Sequence, residues 1–319
     1  MSKNFYAHGK LLLSGEYFVL DGAKALAIPT RFGQHLEIIP ASGEEGKLYW
    51  EALDEKGEQI LSVIFELTDF KALEKKGEVS HFLLQDILRA VRVKNPEFLN
   101  QRTNIHAVSR LEFHPGWGLG SSSTLVYNIA SWAKVDALDL FFNVLQGSGY
   151  DVACAAAKEA ILYHLEGNQA VWRELCFEPP FAKQLYFVYL GKKQNSNEAV
   201  RKFRNAPHNA KVTEQISSIT ERMLRAITAT EFRALMEEHE TVVASALRLE
   251  KVKDLHFKDF PGSIKSLGAW GGDFVMALAE NKQFDTVKYF IGKGFETVFP
   301  FEEVLFKPLR ESRSNVKTN

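Results

Sequence analysis

His114-Pro115-Gly116-Trp117-Gly118-Leu119-Gly120-Ser121-Ser122-Ser123-Thr124 joins an alternating apolar run that ends near Phe113 to a helix-like run from Leu125 to Lys134. Glycines let a backbone turn close against an anion, and the first turn of a following helix presents amide groups that favour negative charge. The stretch reads as a phosphate cradle. Gly116, Gly118, Leu119 and Gly120 supply its backbone, and the hydroxyls of Ser121, Ser122, Ser123 and Thr124 are available as helix caps, phosphate donors or ligands to a magnesium ion riding on phosphates. It lacks the Gly-Lys-Ser/Thr ending of a P-loop and the spacing of a dinucleotide-binding loop, so a nucleotide held here belongs to another fold.

Working upstream, Thr103 to Phe113 alternates and delivers a strand into the cradle. His81 to Val93 carries Leu83, Leu84, Ile87, Leu88 and Val91 at helical spacing and is stopped by Asn95-Pro96. Alternation in Gly33 to Ile39 and in Leu48 to Leu53, on either side of the polar run Ser42 to Lys47, predicts antiparallel strands joined by a surface turn. Near the start, Phe5 to Leu13 reads as a strand interrupted by Gly9-Lys10, followed by the turn-rich Ser14 to Gly22 and a strand from Ala25 to Ile28. Lys10 precedes Leu11, Leu12 and Leu13, which sets its ammonium at the edge of a core with a buried anion as the expected partner.

Downstream, a second glycine turn, Gln146-Gly147-Ser148-Gly149-Tyr150-Asp151, opens the small-residue run Val152 to Ala157, whose slim side chains allow backbones to pack closely beneath the cradle. Asp151 sits where an element starts, which suits either a helix N-cap or a reactive carboxylate. Ile161 to Leu165 is a strand, and Glu178-Pro179-Pro180 marks a linker between residues 1–178 and 179–319. Leu185 to Leu190 opens the second half. It is followed by the basic residues Lys192, Lys193, Arg201, Lys202 and Arg204, which read as a solvated surface or as a grip for an anionic substrate, and by amphipathic helices over Thr213 to Thr228 and Glu231 to Leu247. A third glycine stretch, Ile264-Lys265-Ser266-Leu267-Gly268-Ala269-Trp270-Gly271-Gly272-Asp273, lies between apolar runs. Phe284, Val287 and Ile291 support a helix, Glu296 to Leu305 a last strand, and Glu311 to Asn319 a loose polar tail.

Bulk composition narrows the function. The 319 residues carry a net charge of -1, with 45% hydrophobic and 25% charged residues, which indicates a soluble globular protein and gives no polyanion-binding surface, so nucleic acid is not expected as a partner. Lys10 and Glu16 interrupt any signal-peptide pattern, no apolar run is long enough to span a bilayer, and Cys154 and Cys176 read as buried free thiols. The expectation is a cytoplasmic protein without a membrane partner, monomeric or homodimeric.

Together the three glycine stretches resemble the motifs of the GHMP small-molecule kinase superfamily. Gly9-Lys10-Leu11-Leu12-Leu13-Ser14-Gly15-Glu16-Tyr17-Phe18-Val19-Leu20-Asp21-Gly22 is similar to its first motif, Gly116 through Ser122 to its second, Gly147-Ser148-Gly149-Tyr150-Asp151-Val152-Ala153 to its aspartate turn, and Lys265 through Gly272 to its third. The Ser-Gly-Tyr-Asp-Val-Ala wording and Asp273 are most similar to the phosphomevalonate kinase branch, with the mevalonate kinases the near rival. Four departures stand out: proline at 115 rather than 114, Trp270 in place of a glycine, Leu267 in place of a hydroxyl residue, and no glutamate from Phe113 through Lys158, where these kinases hold magnesium.

The resemblance implies a two-domain α+β, GHMP kinase-like fold, with a ribosomal protein S5 domain 2-like nucleotide-binding domain over 1–178 and a ferredoxin-like substrate-side domain over 179–319. It implies ATP and Mg2+ as cofactors, the cradle from Gly116 to Ser123 around the phosphates, Ser122 (or Ser121) on the metal, Lys10 and Asp151 as catalytic residues, and a small anionic metabolite, phosphomevalonate or mevalonate, as acceptor. Glu16, Ser148, Gly149, Lys192, Lys193, Arg201, Gly268, Ala269 and Gly271 fall on the acceptor side. A non-catalytic nucleotide- or metabolite-binding homologue and a diphosphomevalonate decarboxylase are the alternatives.

Overall fold

The computed structural model describes residues 2–42, 45–100, 103–191, 200–201, 203–204, 209–268, 270 and 273–307. Apolar residues on β1 (Lys3–Ser14) and β2 (Ala25–Pro40) face the interior, and the two strands pair antiparallel over nearly their whole lengths. The expected short strand at Ala25 and the alternating run after Gly33 are one continuous β2, which carries Pro29 within it. β3 (Lys47–Leu53), β4 (Gln59–Glu66), β5 (Ala72–Lys76), β6 (Ile105–Leu111), β7 (Ala160–Glu166) and β8 (Gln169–Leu175) complete the first sheet in the order β5-β4-β3-β6-β2-β7-β8.

That order corrects one expectation. β2 and β3 do not pair with each other; β6 lies between them, antiparallel to β2 and parallel to β3. The hairpin signal was a turn between strands that are neighbours in sequence only. Helices α1 (Phe82–Lys94), α2 (Ser121–Ala133), α3 (Ala137–Val144) and α4 (Tyr150–Ala156) cover this sheet, α1 matching its sequence-predicted span and stopping at Asn95.

The second sheet is antiparallel, ordered β10-β11-β9-β12, from β9 (Leu185–Tyr189), β10 (Gly262–Leu267), β11 (Phe274–Ala279) and β12 (Val298–Pro300). Its helices are α5 (Ala210–Arg225), α6 (Ala229–Leu247), α7 (Val252–His256), α8 (Thr286–Gly292) and α9 (Phe301–Val304). The last strand expected over Glu296 to Leu305 is therefore a three-residue strand followed by a helical turn. Cys154 is buried as expected, but Cys176 is exposed, because it follows the solvent-facing end of β8. The 311–319 tail lies outside the described residues. Among those described, no helix is long and apolar enough to cross a membrane.

One apolar cluster joins both sheets: Leu11, Leu13 and Ile28 of the first meet Phe187 and Met276 of the second, with Met223 and Phe232 from the helices. Phe232 is fully buried between Phe177 and Phe181, its ring centroid 5.0 Å from that of Phe181. Phe232→Ala is expected to lower stability by about 3–5 kcal/mol. Because the cluster belongs to both sheets, urea denaturation of the variant followed by fluorescence and circular dichroism should give coincident transitions, whereas separate transitions would contradict a shared core.

Candidate active site

Lys10 reaches the cradle through an irregularity in β1. The pairing with β2 shifts register between His8 and Lys10, and the Lys10 amide donates to the Leu119 carbonyl at 3.0 Å instead of to the sheet. Its Nζ then donates to the Gly118 carbonyl at 2.9 Å. The same side chain is thus fixed at both ends by consecutive residues of one loop. Gly118 has a left-handed φ of 67°, and a Cβ added there would lie 2.4 Å from Asp273 Oδ2, so a side chain at 118 would be strained and would displace that carboxylate. Gly120 is the N-cap of α2, and the first turn of that helix opens with Ser121, Ser122 and Ser123.

α4 brings the second acidic group. Gly149 is its N-cap, so Asp151 is not the capping residue; it lies in the first turn, where a carboxylate is favoured by the helix dipole. Ser123 Oγ donates to Asp151 Oδ2 at 2.6 Å, which ties the start of α2 to the start of α4. Burial pulls the Lys10 ammonium down, but the neighbouring Tyr150, Asp151 and Asp273 outweigh it and hold the lysine above its ordinary value. Tyr150 is pushed up to about 12 by burial, with Lys10 opposing and Asp151 reinforcing the shift, so it is neutral beside the ammonium. The Lys10 Nζ lies 5.5 Å from the centre of its ring.

These groups open onto a cavity of about 680 Å³ between the two halves of the chain. Of the sequence-predicted residues, Lys10, Asp151, Gly118, Gly120, Ser121, Ser122 and Ser123 line it, as do Glu16, Ser148 and Gly268. Leu119 is buried behind the wall with its carbonyl on Lys10. Gly116 is not on the wall: its amide donates to His114 Nδ1 at 3.0 Å and its carbonyl accepts from Tyr189 Oη at 3.1 Å. Gly149 serves the helix cap, and Arg201 is exposed while its neighbour Val200 reaches the wall. Lys192, Lys193, Ala269 and Gly271 lie outside the described residues.

The sequence reading assigned no site role to Tyr17, Tyr150 or the apolar group Leu83, Phe141 and Leu145, all of which line the cavity. Asp273 was noted only as a resemblance, yet its carboxylate packs against the cradle at Gly118. Its position directly after paired glycines was the one available signal.

No protein-family model matches the sequence, and no curated protein matches it at the level of sequence. Comparison of the fold with solved structures gives a different result. The Methanococcus jannaschii mevalonate kinase superposes with a TM-score of 0.68 at 16% identity, covering 94% of this chain and 97% of that one. The Streptococcus pneumoniae phosphomevalonate kinase in complex with phosphomevalonate and AMPPNP gives 0.67 at 16% identity, covering 93% and 99%. The Lactococcus lactis galactokinase complexed with galactose gives 0.69 at 13% identity, covering 96% and 93%. The chain has the fold of the GHMP kinases.

In this kinase fold a second group of charges lies beneath the cavity floor. Glu16, 1% exposed, forms an ion pair through Oε1 with the fully buried Lys265, and its Oε2 lies 3.2 Å from His239 Nε2. Glu240 accepts from the Ser266 amide at 2.9 Å. Burial, opposed by Lys265 and the Ser266 amide, pushes Glu240 up to about 8, while burial and then Lys265 keep His239 well below its ordinary value. Glu16 is raised as well, burial outweighing the pull of Lys265. One ammonium thus faces two carboxyl groups, and a proton resides on Glu240 at neutral pH.

The linkage sign follows: with its folded pKa above the unfolded one, Glu240 adds stability that is complete below about pH 4.5 and lost as pH rises to about 8. Its slope is at most about 1.4 kcal/mol per pH unit. Glu240→Gln should remove that slope, so the variant gains stability relative to the wild type between pH 5 and 8, read from urea denaturation at several pH values; parallel curves would contradict the buried proton.

Proposed function

We propose that the protein transfers the γ-phosphoryl group of ATP to a hydroxyl or phosphate oxygen of a small molecule held in this cavity. The observation that carries the reading is the joining of the α2 amide end, Lys10 and Asp151 around one space through the Ser123–Asp151 and Lys10–Gly118 hydrogen bonds. The residues suit the two groups this fold implies. The left-handed backbone at Gly118 disfavours a side chain, the first turn of α2 presents amides that suit an anion, and the donor set of hydroxyls and carboxylates consists of hard oxygens. Gly118, Gly120, Ser121 and Ser123 would hold the ATP phosphates, and the Ser122 hydroxyl, exposed at the cavity rim, would hold Mg2+ together with phosphate oxygens and water. The metal ion's chemistry is to neutralise charge on the phosphate oxygens.

The chain's own residues do the rest. The acceptor oxygen attacks the γ-phosphorus, the bond to the β-phosphate oxygen breaks, and ADP leaves. Asp151 retains lone pairs beyond those used by Ser123 and by the Val152 amide, and takes or directs the acceptor proton. Lys10, held charged, faces the oxygens of the moving phosphoryl group. Alignment by fixed groups supplies most of the rate in such transfers.

For the acceptor, the wording of the aspartate turn and the superposition on mevalonate and phosphomevalonate kinases support an isoprenoid precursor. A specific observation favours a second reading. The fold superposes on the Lactococcus lactis galactokinase complexed with galactose as well as on the mevalonate kinase, with TM-scores of 0.69 and 0.68, which supports a neutral sugar as the acceptor.

Coupled ADP-release assays against mevalonate, phosphomevalonate, homoserine and hexoses separate the two readings, and absence of turnover with every acceptor despite ATP binding would leave the non-catalytic homologue. With the active acceptor, Asp151→Asn is expected to lower kcat by roughly 10²–10⁴-fold with the fold retained by circular dichroism. Ser123→Ala should cost less, about tenfold, because it frees the carboxylate without removing it.

A further inference from the structure

Four consecutive residues of the first glycine turn each bond to a different element of the second half. Ser14 Oγ lies 2.7 Å from Thr220 Oγ1 on α5, and the Gly15 amide donates to His239 Nε2 on α6 at 3.2 Å. Glu16 pairs with Lys265 on β10, and Tyr17 Oη accepts the Trp270 amide of the third glycine stretch at 2.7 Å. The turn itself is bent against preference. Gly15 has φ 98° and Tyr17 φ 63°, and a left-handed tyrosine persists only where its surroundings over-determine it.

We propose that Lys265 is a positioning residue for the candidate site: its buried ammonium holds Glu16, and through it fixes the Ser14–Tyr17 turn and the third glycine stretch against each other along the cavity wall. Of the four links this one alone is an ion pair between fully buried groups. Lys265 also donates to the Ser266 carbonyl at 2.9 Å, while the Ser266 amide is engaged by Glu240, so the ammonium is anchored to β10 and β10 to α6. Among the described residues Glu16 Oε2 and His239 Nδ1 have no hydrogen-bond partner, which leaves Lys265 as the group that compensates the Glu16 charge. Removing it strands a buried carboxylate, whose escape from that environment is a movement of the turn that carries it. Glu16 and Tyr17 line the cavity, so that movement reshapes the wall.

The test uses the full chain with Lys265→Met, Lys265→Arg and the double change Lys265→Met/Glu16→Gln. Two readouts are taken: hydrogen exchange at the amides of Gly15 to Tyr17 and Trp270, and AMPPNP affinity by calorimetry in magnesium. K265M should speed exchange at those amides at least tenfold and weaken AMPPNP at least fivefold, and K265R should bring both back to within threefold of the wild type. The double variant should regain melting temperature, having no stranded charge, while its exchange stays fast; it carries the test if K265M does not fold. Exchange within twofold of the wild type in the folded variant, with only the melting temperature lowered, would overturn the proposal. The affinity arm rests on the kinase reading. If wild-type protein does not take AMPPNP, that reading fails by itself and the exchange rates alone decide the role of Lys265.

Discussion

A lysine ammonium leaves water only where carbonyl oxygens and negative charge replace its hydration. Two lysines meet that condition along the seam between the halves of this chain, and the site is arranged around them. Lys10 is satisfied by the Gly118 carbonyl and by the field of Asp151 and Asp273, which requires β1, the cradle loop, α4 and the end of the third glycine stretch to converge. Lys265 is satisfied by Glu16 and the Ser266 carbonyl, which requires the turn after β1 to lie on β10. The apolar cluster supplies most of the driving force for joining the sheets. The ammonium groups specify which polar loops meet at the join.

The parts of this arrangement written as local pattern were legible in the sequence. The helical spacing in α1, the glycines before α2 and α4, and the run from Lys10 to Leu13 are local features, and each corresponds to an element or turn at that place. What was not legible is non-local pairing. β5 and β8 escaped notice because none of their residues is buried, and β4 because its apolar residues Ile60, Leu61, Val63, Ile64 and Phe65 do not alternate with polar ones. The insertion of β6 between β2 and β3 follows from where the chain returns after α1, which no short-range pattern encodes.

The same limit applies within the site. Lys10 and Asp151 were singled out, but the side chain that ties Asp151 in place is Ser123, one of four adjacent hydroxyl residues that the sequence left equivalent. The structure distinguishes them: Thr124 turns to Gln34 at 2.7 Å, Ser123 to Asp151, and Ser122 stands exposed at the rim. Helical geometry makes that division, because successive residues in the first turn of α2 point about 100° apart. Glu16 was placed on the acceptor side by resemblance alone, and what holds it in the structure is a lysine 249 positions away.

Identity of 13–16% to kinases that cover nearly the whole chain means that few individual side chains are shared while the backbone path is kept. Fold similarity of that kind leaves chemistry to be argued from the site itself. Within this chain the third glycine stretch carries Trp270, one of the residues by which it departs from the motif it resembles. The Trp270 amide donates to Tyr17 Oη at 2.7 Å and its indole N–H to the Glu250 carbonyl at 2.9 Å, so this residue is fastened through both its backbone and its side chain. Trp270 is thereby tied to the Ser14–Tyr17 turn on one side and to the chain just after α6 on the other. Under the kinase reading proposed above, the grip on phosphate belongs to the cradle at Gly118 and the α2 end, and an acceptor meets the charges around Lys10.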